Sequence, residues 1–193
     1  MVQPILHLKT AGRPRNFDPD AALRAARDEF WRKGYEQTSL DDLIAAMGIS
    51  RSSFYACFTS KRATLAYALT LYTDEMITRL NAIIAAEPNP LLALRATMVA
   101  IADVNGGRSG CFLANCISEF GPQDREIDRI IQTHVSQIEA LLSGLIRALE
   151  KPDPKGLSRV LIALVLGVIS LRKSGLAPAE VLATLQAGMN TVL

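Results

Sequence analysis

An all-α fold is predicted for this 193-residue chain by three observations. Apolar residues recur at spacings of three and four along nearly all of it. No stretch sustains the alternation of β-branched residues that a strand requires, and capping residues and Gly or Pro breaks fall at helix-length intervals. The composition, 49% hydrophobic and 21% charged, suits a packed protein and excludes disorder as the main state.

The first helix is announced by Asp18 as N-cap and Pro19 at its first position, and it places Ala22, Leu23, Ala26, Phe30 and Trp31 on one side until Gly34. A short second helix follows the capping hydroxyl of Ser39, with Asp41 and Asp42 in the first turn where the helix dipole favours negative charge. Gly48 stops it. Ser50 then caps a third helix over Arg51 to Phe58, so two short helices meet at a tight Gly48-Ile49-Ser50 turn, the pattern of a helix-turn-helix. Thr59 or Ser60 caps a long fourth helix that runs to the Pro-rich boundary Glu87-Pro88-Asn89-Pro90. Further helices are expected at about Leu91 to Asn105, Cys111 to Phe120, Asp124 to Glu150, Gly156 to Lys173 and Pro178 to Val192.

The run Val160 to Leu171 is the most apolar, and at about two-thirds of the length a bilayer crossing needs it reads as a buried helix. The N-terminal residues lack the apolar stretch and cleavage site of a secretory signal, which points to a cytoplasmic protein with no membrane partner. Three cysteines, Cys57, Cys111 and Cys116, without a C-x-x-C pair, and two histidines, His7 and His134, suit reduced thiols better than a disulfide framework or a metal site. No cofactor motif is present.

The formal net charge of +2 is unevenly placed. Residues 1–62 hold ten Lys/Arg against seven Asp/Glu, whereas the remainder is slightly acidic. In a helix-turn-helix the second helix enters the major groove with its N-terminal side chains against base edges. Arg51, Ser52 and Ser53 are the expected readers, the arginine suited to a bidentate pair with guanine. Thr38, Ser39, Tyr55 and Lys61 are expected to donate to phosphates. Arg13 and Arg15, held extended by Pro14, suit a narrow minor groove or the phosphates beside it. A helix-turn-helix shape also occurs in many all-α proteins that bind no DNA.

The stretch from Tyr35 to Lys61, with Gly34-Tyr35, Thr38-Ser39, the Gly48-Ile49-Ser50 turn, Phe54-Tyr55, Phe58 and Lys61, closely resembles the DNA-binding domain of the TetR family of transcriptional regulators. With the Gly12-Arg13-Pro14-Arg15 arm, the resemblance covers about the first third of the chain. Ala56-Cys57 departs from the family pattern, and Arg62 stands where an acidic residue is frequent. The resemblance implies an arm (1–15), a three-helix head (16–76, with the motif at about 39–58) and a C-terminal helical domain (77–193) for effector binding and dimerisation. It also implies a two-fold homodimer on a pseudo-palindromic double-stranded operator, acting as a repressor released by a small-molecule or electrophile effector. A very apolar helix such as Val160 to Leu171 independently asks for cover on all sides.

An effector pocket between helices is expected among Met98, Ile101, Phe112, Asn115, Glu119 and His134. The Cys111 to Phe120 segment resembles family members that sense oxidants or electrophiles through cysteine, and Cys111 at a helix N-terminus would have a lowered thiol pKa. If Cys111 and Cys116 share one helix, their Cα atoms lie about 8 to 9 Å apart on different faces, which disfavours a bond within it. His134, amid Ile130, Ile131 and Val135, reads more readily as a satisfied packing residue. Two other classes compete. One is a helical small-molecule-binding protein that has lost DNA binding. The other is an enzyme with a Cys111 or Cys116 nucleophile and His134 as base, for which no catalytic motif is recognisable.

Overall fold

A computed structural model describes residues 17–120 and 123–193 of the chain. Those residues are helical with no strand: α1 (Pro19–Lys33), α2 (Leu40–Met47), α3 (Arg51–Phe58), α4 (Lys61–Ala86), α5 (Pro90–Ala102), α6 (Phe112–Phe120), α7 (Arg125–Ala148), α8 (Pro154–Ser174) and α9 (Pro178–Val192), with a 3₁₀ turn at Gly107–Ser109. The start and stop signals act as the sequence suggests. Asp18 accepts from the Asp20 N–H, Ser50 from Ser53 and Ser60 from Ala63. Ser39 and Asp42 form a reciprocal capping box. Gly48 ends α2 in the left-handed region at φ +64°, where a Cβ would add strain and glycine adds none.

Two buried clusters organise the molecule. The first gathers Leu23, Ala26 and Phe30 of α1, Leu43 and Met47 of α2, Phe54 and Phe58 of α3 and the first half of α4. Its lower side is closed by Phe112, Leu113 and Cys116 of α6 and by Ile127 and Ile131 of α7. The second joins the end of α4 with α5, α7, α8 and α9 around Leu94, Met98, Leu142, Ile146, Leu161 and Leu185. Helix α4, about 39 Å long at 1.5 Å per residue, belongs to both, and α6 forms the floor of the head.

The α8 helix is long and apolar enough to cross a membrane by length and composition, with a mean hydropathy of 1.7. In the single chain, however, it is not buried all round as its sequence suggests. Leu161, Val165, Val168 and Ile169 face α7 and α9, while Val160, Leu166 and Leu171 lie exposed on the opposite side. Helix α9 lies close on α8 at Gly188, where a Cβ would stand 2.6 Å from Leu164 Cδ1 and move that side chain aside.

Candidate nucleic-acid interface

Helix α3 divides its residues cleanly. Phe54 and Phe58 point into the head core with no exposed surface, their ring centroids 5.8 Å apart. Arg51, Ser52 and Tyr55 point outward, Tyr55 with half of its surface exposed. Ser53 is half-buried, and the Ser52 and Ser53 hydroxyls each lie 2.9 Å from Ser50 Oγ. Arg51 pairs with Asp41 across the turn, so a base edge must compete with a carboxylate that is itself largely exposed.

The flanking groups need revision. Thr38 is fully buried and its hydroxyl donates to Gly34 O at 2.6 Å, which excludes the phosphate contact its sequence position suggested. The Ser39 side chain is exposed, but its hydroxyl donates to Asp42 Oδ2 at 2.8 Å and accepts from the Asp42 N–H at 3.0 Å, so it caps the helix and has no donor left for a phosphate. Lys61 begins α4 with its ammonium 4.2 Å from the Tyr35 ring centroid, a cation–π contact at the rim of the head. Arg13 and Arg15 lie outside the described residues.

Several contacts that join head to body have no local sequence signal. Arg62, in the first turn of α4, donates to Asp124 and to Glu126 (2.6 Å) at the start of α7, and these carboxylates raise its pKa further above the usual arginine value. Its departure from the family pattern was the hint available in the sequence. Glu119 of α6 accepts the N–H groups of Tyr35 (3.1 Å) and Glu36 (3.0 Å), fastening the turn between α1 and α2 to α6. Within the head, Lys33 pairs with Asp42 (2.7 Å) and Glu29 (2.8 Å), and with help from Ser39 it holds the Asp42 carboxyl below the usual range.

The six expected pocket residues separate into three places. Ile101 and His134 line an apolar cavity with Tyr72, Cys111, Leu113 and Ile138. Phe112, Asn115 and Glu119 instead line a wider, polar cleft between head and body, together with Cys116. Met98 is core, without exposed surface. Cys111 is the residue before α6 and its thiol lies 3.4 Å from the Tyr72 hydroxyl, whose pKa is raised by burial and then by that thiol. Cys116 is buried, and burial pushes its thiol up to about 12, which makes it a poor nucleophile and argues against a sensing role.

His134 is 5% exposed and its Nδ1 has no hydrogen-bond partner, so the expectation of a satisfied packing residue fails on the satisfaction. Burial lowers its pKa from 6.5 to about 4. An unfolded chain therefore takes up a proton as pH falls through 6.5 while the folded chain resists, and stability present above that value is lost on acidification. Urea unfolding should show a loss of about 2 kcal/mol between about pH 7 and pH 5 from this group. H134L should flatten that slope; an unchanged slope would contradict this origin. Among the described residues no group of three or more His, Cys, Asp or Glu is placed to hold a metal ion.

A short capped helix with a polar outward face, set by a glycine turn on a small three-helix head above a helical body, defines the class of helix-turn-helix regulators. Residues 22–68 match the family model described as bacterial regulatory proteins, tetR family. The chain is 33% identical over 138 residues to the HTH-type transcriptional repressor ComR of Escherichia coli (strain K12), a match covering 69% of this chain and 66% of ComR. It is 31% identical over 123 residues to the repressor BdcR of the same organism, covering 62% of each. The aligned stretch thus spans somewhat under two-thirds of the length of these relatives. A cysteine-substituted TetR family regulator, CifR, complexed with 26-base-pair operator DNA, shares the fold at a TM-score of 0.79 and 22% identity over 93% of this chain and 98% of that one. This chain belongs to the TetR family of transcriptional regulators, which are not enzymes.

Proposed function

We propose that the chain is a repressor that grips double-stranded operator DNA as a two-fold dimer and releases it when an effector enters the apolar cavity. The observation that carries this reading is the outward face of α3, where Arg51, Ser52 and Tyr55 stand clear of the core that Phe54 and Phe58 fill. In this reading residues 16–76 read the DNA, residues 1–15 contribute Arg13 and Arg15 as an arm, and residues 77–193 dimerise and sense. Lys61 and Tyr55 position the head on phosphates, while Arg51, Ser52 and Ser53 meet base edges. The exposed stripe of Val160, Leu166 and Leu171 on α8 supports a second copy as its cover. A two-fold partner would set two α3 helices against successive major grooves.

The test is a mobility shift with the DNA upstream of the chain's own gene, read across salt concentrations. R51A should weaken binding by about 1–3 kcal/mol and relax sequence preference. K61A should weaken all sequences alike and shrink the salt slope by about one. Unaltered binding in both variants would mean that α3 is not the reading helix.

The effector reading rests on the cavity between α4, α6, α7 and α8, where an unpaired His134 Nδ1 and the Tyr72–Cys111 pair are the polar groups in an apolar wall. Its lining suits an apolar molecule with one hydrogen-bonding group, for which the cavity of about 70 Å³ would have to widen, or an electrophile that reaches Cys111. In a C57S background, which removes the half-buried thiol of α3, alkylation with N-ethylmaleimide should lower operator affinity and leave C57S/C111S unaffected. Equal loss in both would remove Cys111 from the mechanism, and no loss in either would leave the non-covalent effector.

A further inference from the structure

We propose that the polar cleft between head and body is a second binding site, for a small aromatic carboxylate. It goes beyond the effector cavity just described, because α6 separates the two spaces. Phe112, Asn115 and Glu119 of that helix face the cleft, whereas Leu113 and Ile117 face the cavity. The cleft has a volume of about 400 Å³, within the range that holds small ligands.

Its charges are unbalanced in a way that asks for an anion. Arg32 and Lys33 also border it, but both are paired with Glu29. Arg108 and Lys173 have no carboxylate partner among the described residues, and residues 1–16 contain no Asp or Glu to supply one. The Lys173 ammonium donates to Asn115 Oδ1 at 2.9 Å, which leaves two of its protons for another acceptor. The Arg108 guanidinium reaches only the carbonyls of Lys173 and Ser174, both at 3.4 Å, at the long limit for a hydrogen bond. Two like charges are therefore held beside one concave surface with no carboxylate paired to either, close to the partial negative charge of the α8 C-terminus.

The cleft also has an aromatic border. Trp31 and Phe112 stand with ring centroids 5.9 Å apart, and the indole N–H is already satisfied by Ser109 O at 3.2 Å. The one carboxylate in the cleft, Glu119, is engaged by the Tyr35 and Glu36 N–H groups. A ligand would thus set its ring against Trp31, which the buried Phe112 backs, and its carboxylate between Arg108 and Lys173. Seated there, it touches α1 of the head and α6 and α8 of the body at once, so its binding biases the head's position relative to the body.

Trp31 is the only tryptophan in the chain, so its fluorescence reports on the cleft directly and independently of any operator. The full-length protein would be titrated with phenylacetate and, as an uncharged isostere, phenylacetamide. A saturable change is expected with phenylacetate, at least about tenfold tighter than with the amide and weakened at least about tenfold in an R108Q/K173Q double variant. Equal affinity for acid and amide would overturn the proposal without recourse to any variant. No saturable response at millimolar phenylacetate, or full affinity in a folded double variant, would overturn it as well.

Discussion

Phe58→Ala is expected to destabilise the chain by about 3–5 kcal/mol, the range for removing a buried phenylalanine. Phe58 has no exposed surface and closes the last turn of α3 against Phe54, whose centroid is 5.8 Å away at a 36° tilt. The head is small, so the surrounding side chains have little freedom to collapse into the void. Urea unfolding would measure the loss, with Tyr55→Ala as the companion variant. Tyr55, half exposed, should cost well under half as much stability while weakening DNA binding. A loss below about 1 kcal/mol in the Phe58 variant would mean that the void refills or that α3 is not docked in this way.

The second large effect is expected at Arg172, which is 3% exposed at the end of α8. Its guanidinium donates to the carbonyl and carboxylate of Asp103 and to Gly110 O at 2.9 Å, clamping the connection between α5 and α6 onto the body. Each hydrogen bond from a charged group is worth about 1.5–3 kcal/mol. Asp103 is partly exposed and can rehydrate when its partner is lost. Arg172→Ala is accordingly expected to cost about 2–4 kcal/mol in thermal or urea unfolding, and lysine should rescue little because it lacks the planar fork. Gly106→Ala attacks the same clamp from the other side, since a Cβ there would overlap the Asp103 carboxylate and the Arg172 guanidinium. Near-native stability in both variants would show that the clamp carries little of the fold.

Most of the fold was legible because its punctuation is local. Asp18, Ser39, Ser50 and Ser60 cap the helices they precede, Gly48 ends α2, and the apolar stripe Ile127, Ile131, His134, Ile138 and Leu142 spells one face of α7. What failed was direction and distance. Thr38 and Ser39 are adjacent hydroxyls before one helix, yet one turns inward onto Gly34 O and the other closes a capping box, a choice set by the packing of α1 on α2. Arg62 finds its carboxylates about sixty residues away, and no spacing rule reaches that far. The pocket residues were named as one set because sequence neighbours on α6 look alike, whereas a helix turns successive residues toward different compartments. Composition reports that the apolar face of α8 wants cover, and within the single chain Val160, Leu166 and Leu171 have none.

Helix α6 is nine residues long and has almost no idle face. Phe112 and Cys116 support the head core, Leu113 and Ile117 wall the cavity, Asn115 steadies Lys173, and Glu119 holds the turn ahead of α2. The consequence is one of mutational tolerance. Drift is cheap on the solvent side of α7, at Gln132, Thr133, Ser136 and Gln137, where a side chain answers to water alone. On α6 a substitution at Phe112, Leu113, Asn115, Cys116 or Glu119 must satisfy a neighbouring element, so little of its sequence is free to drift.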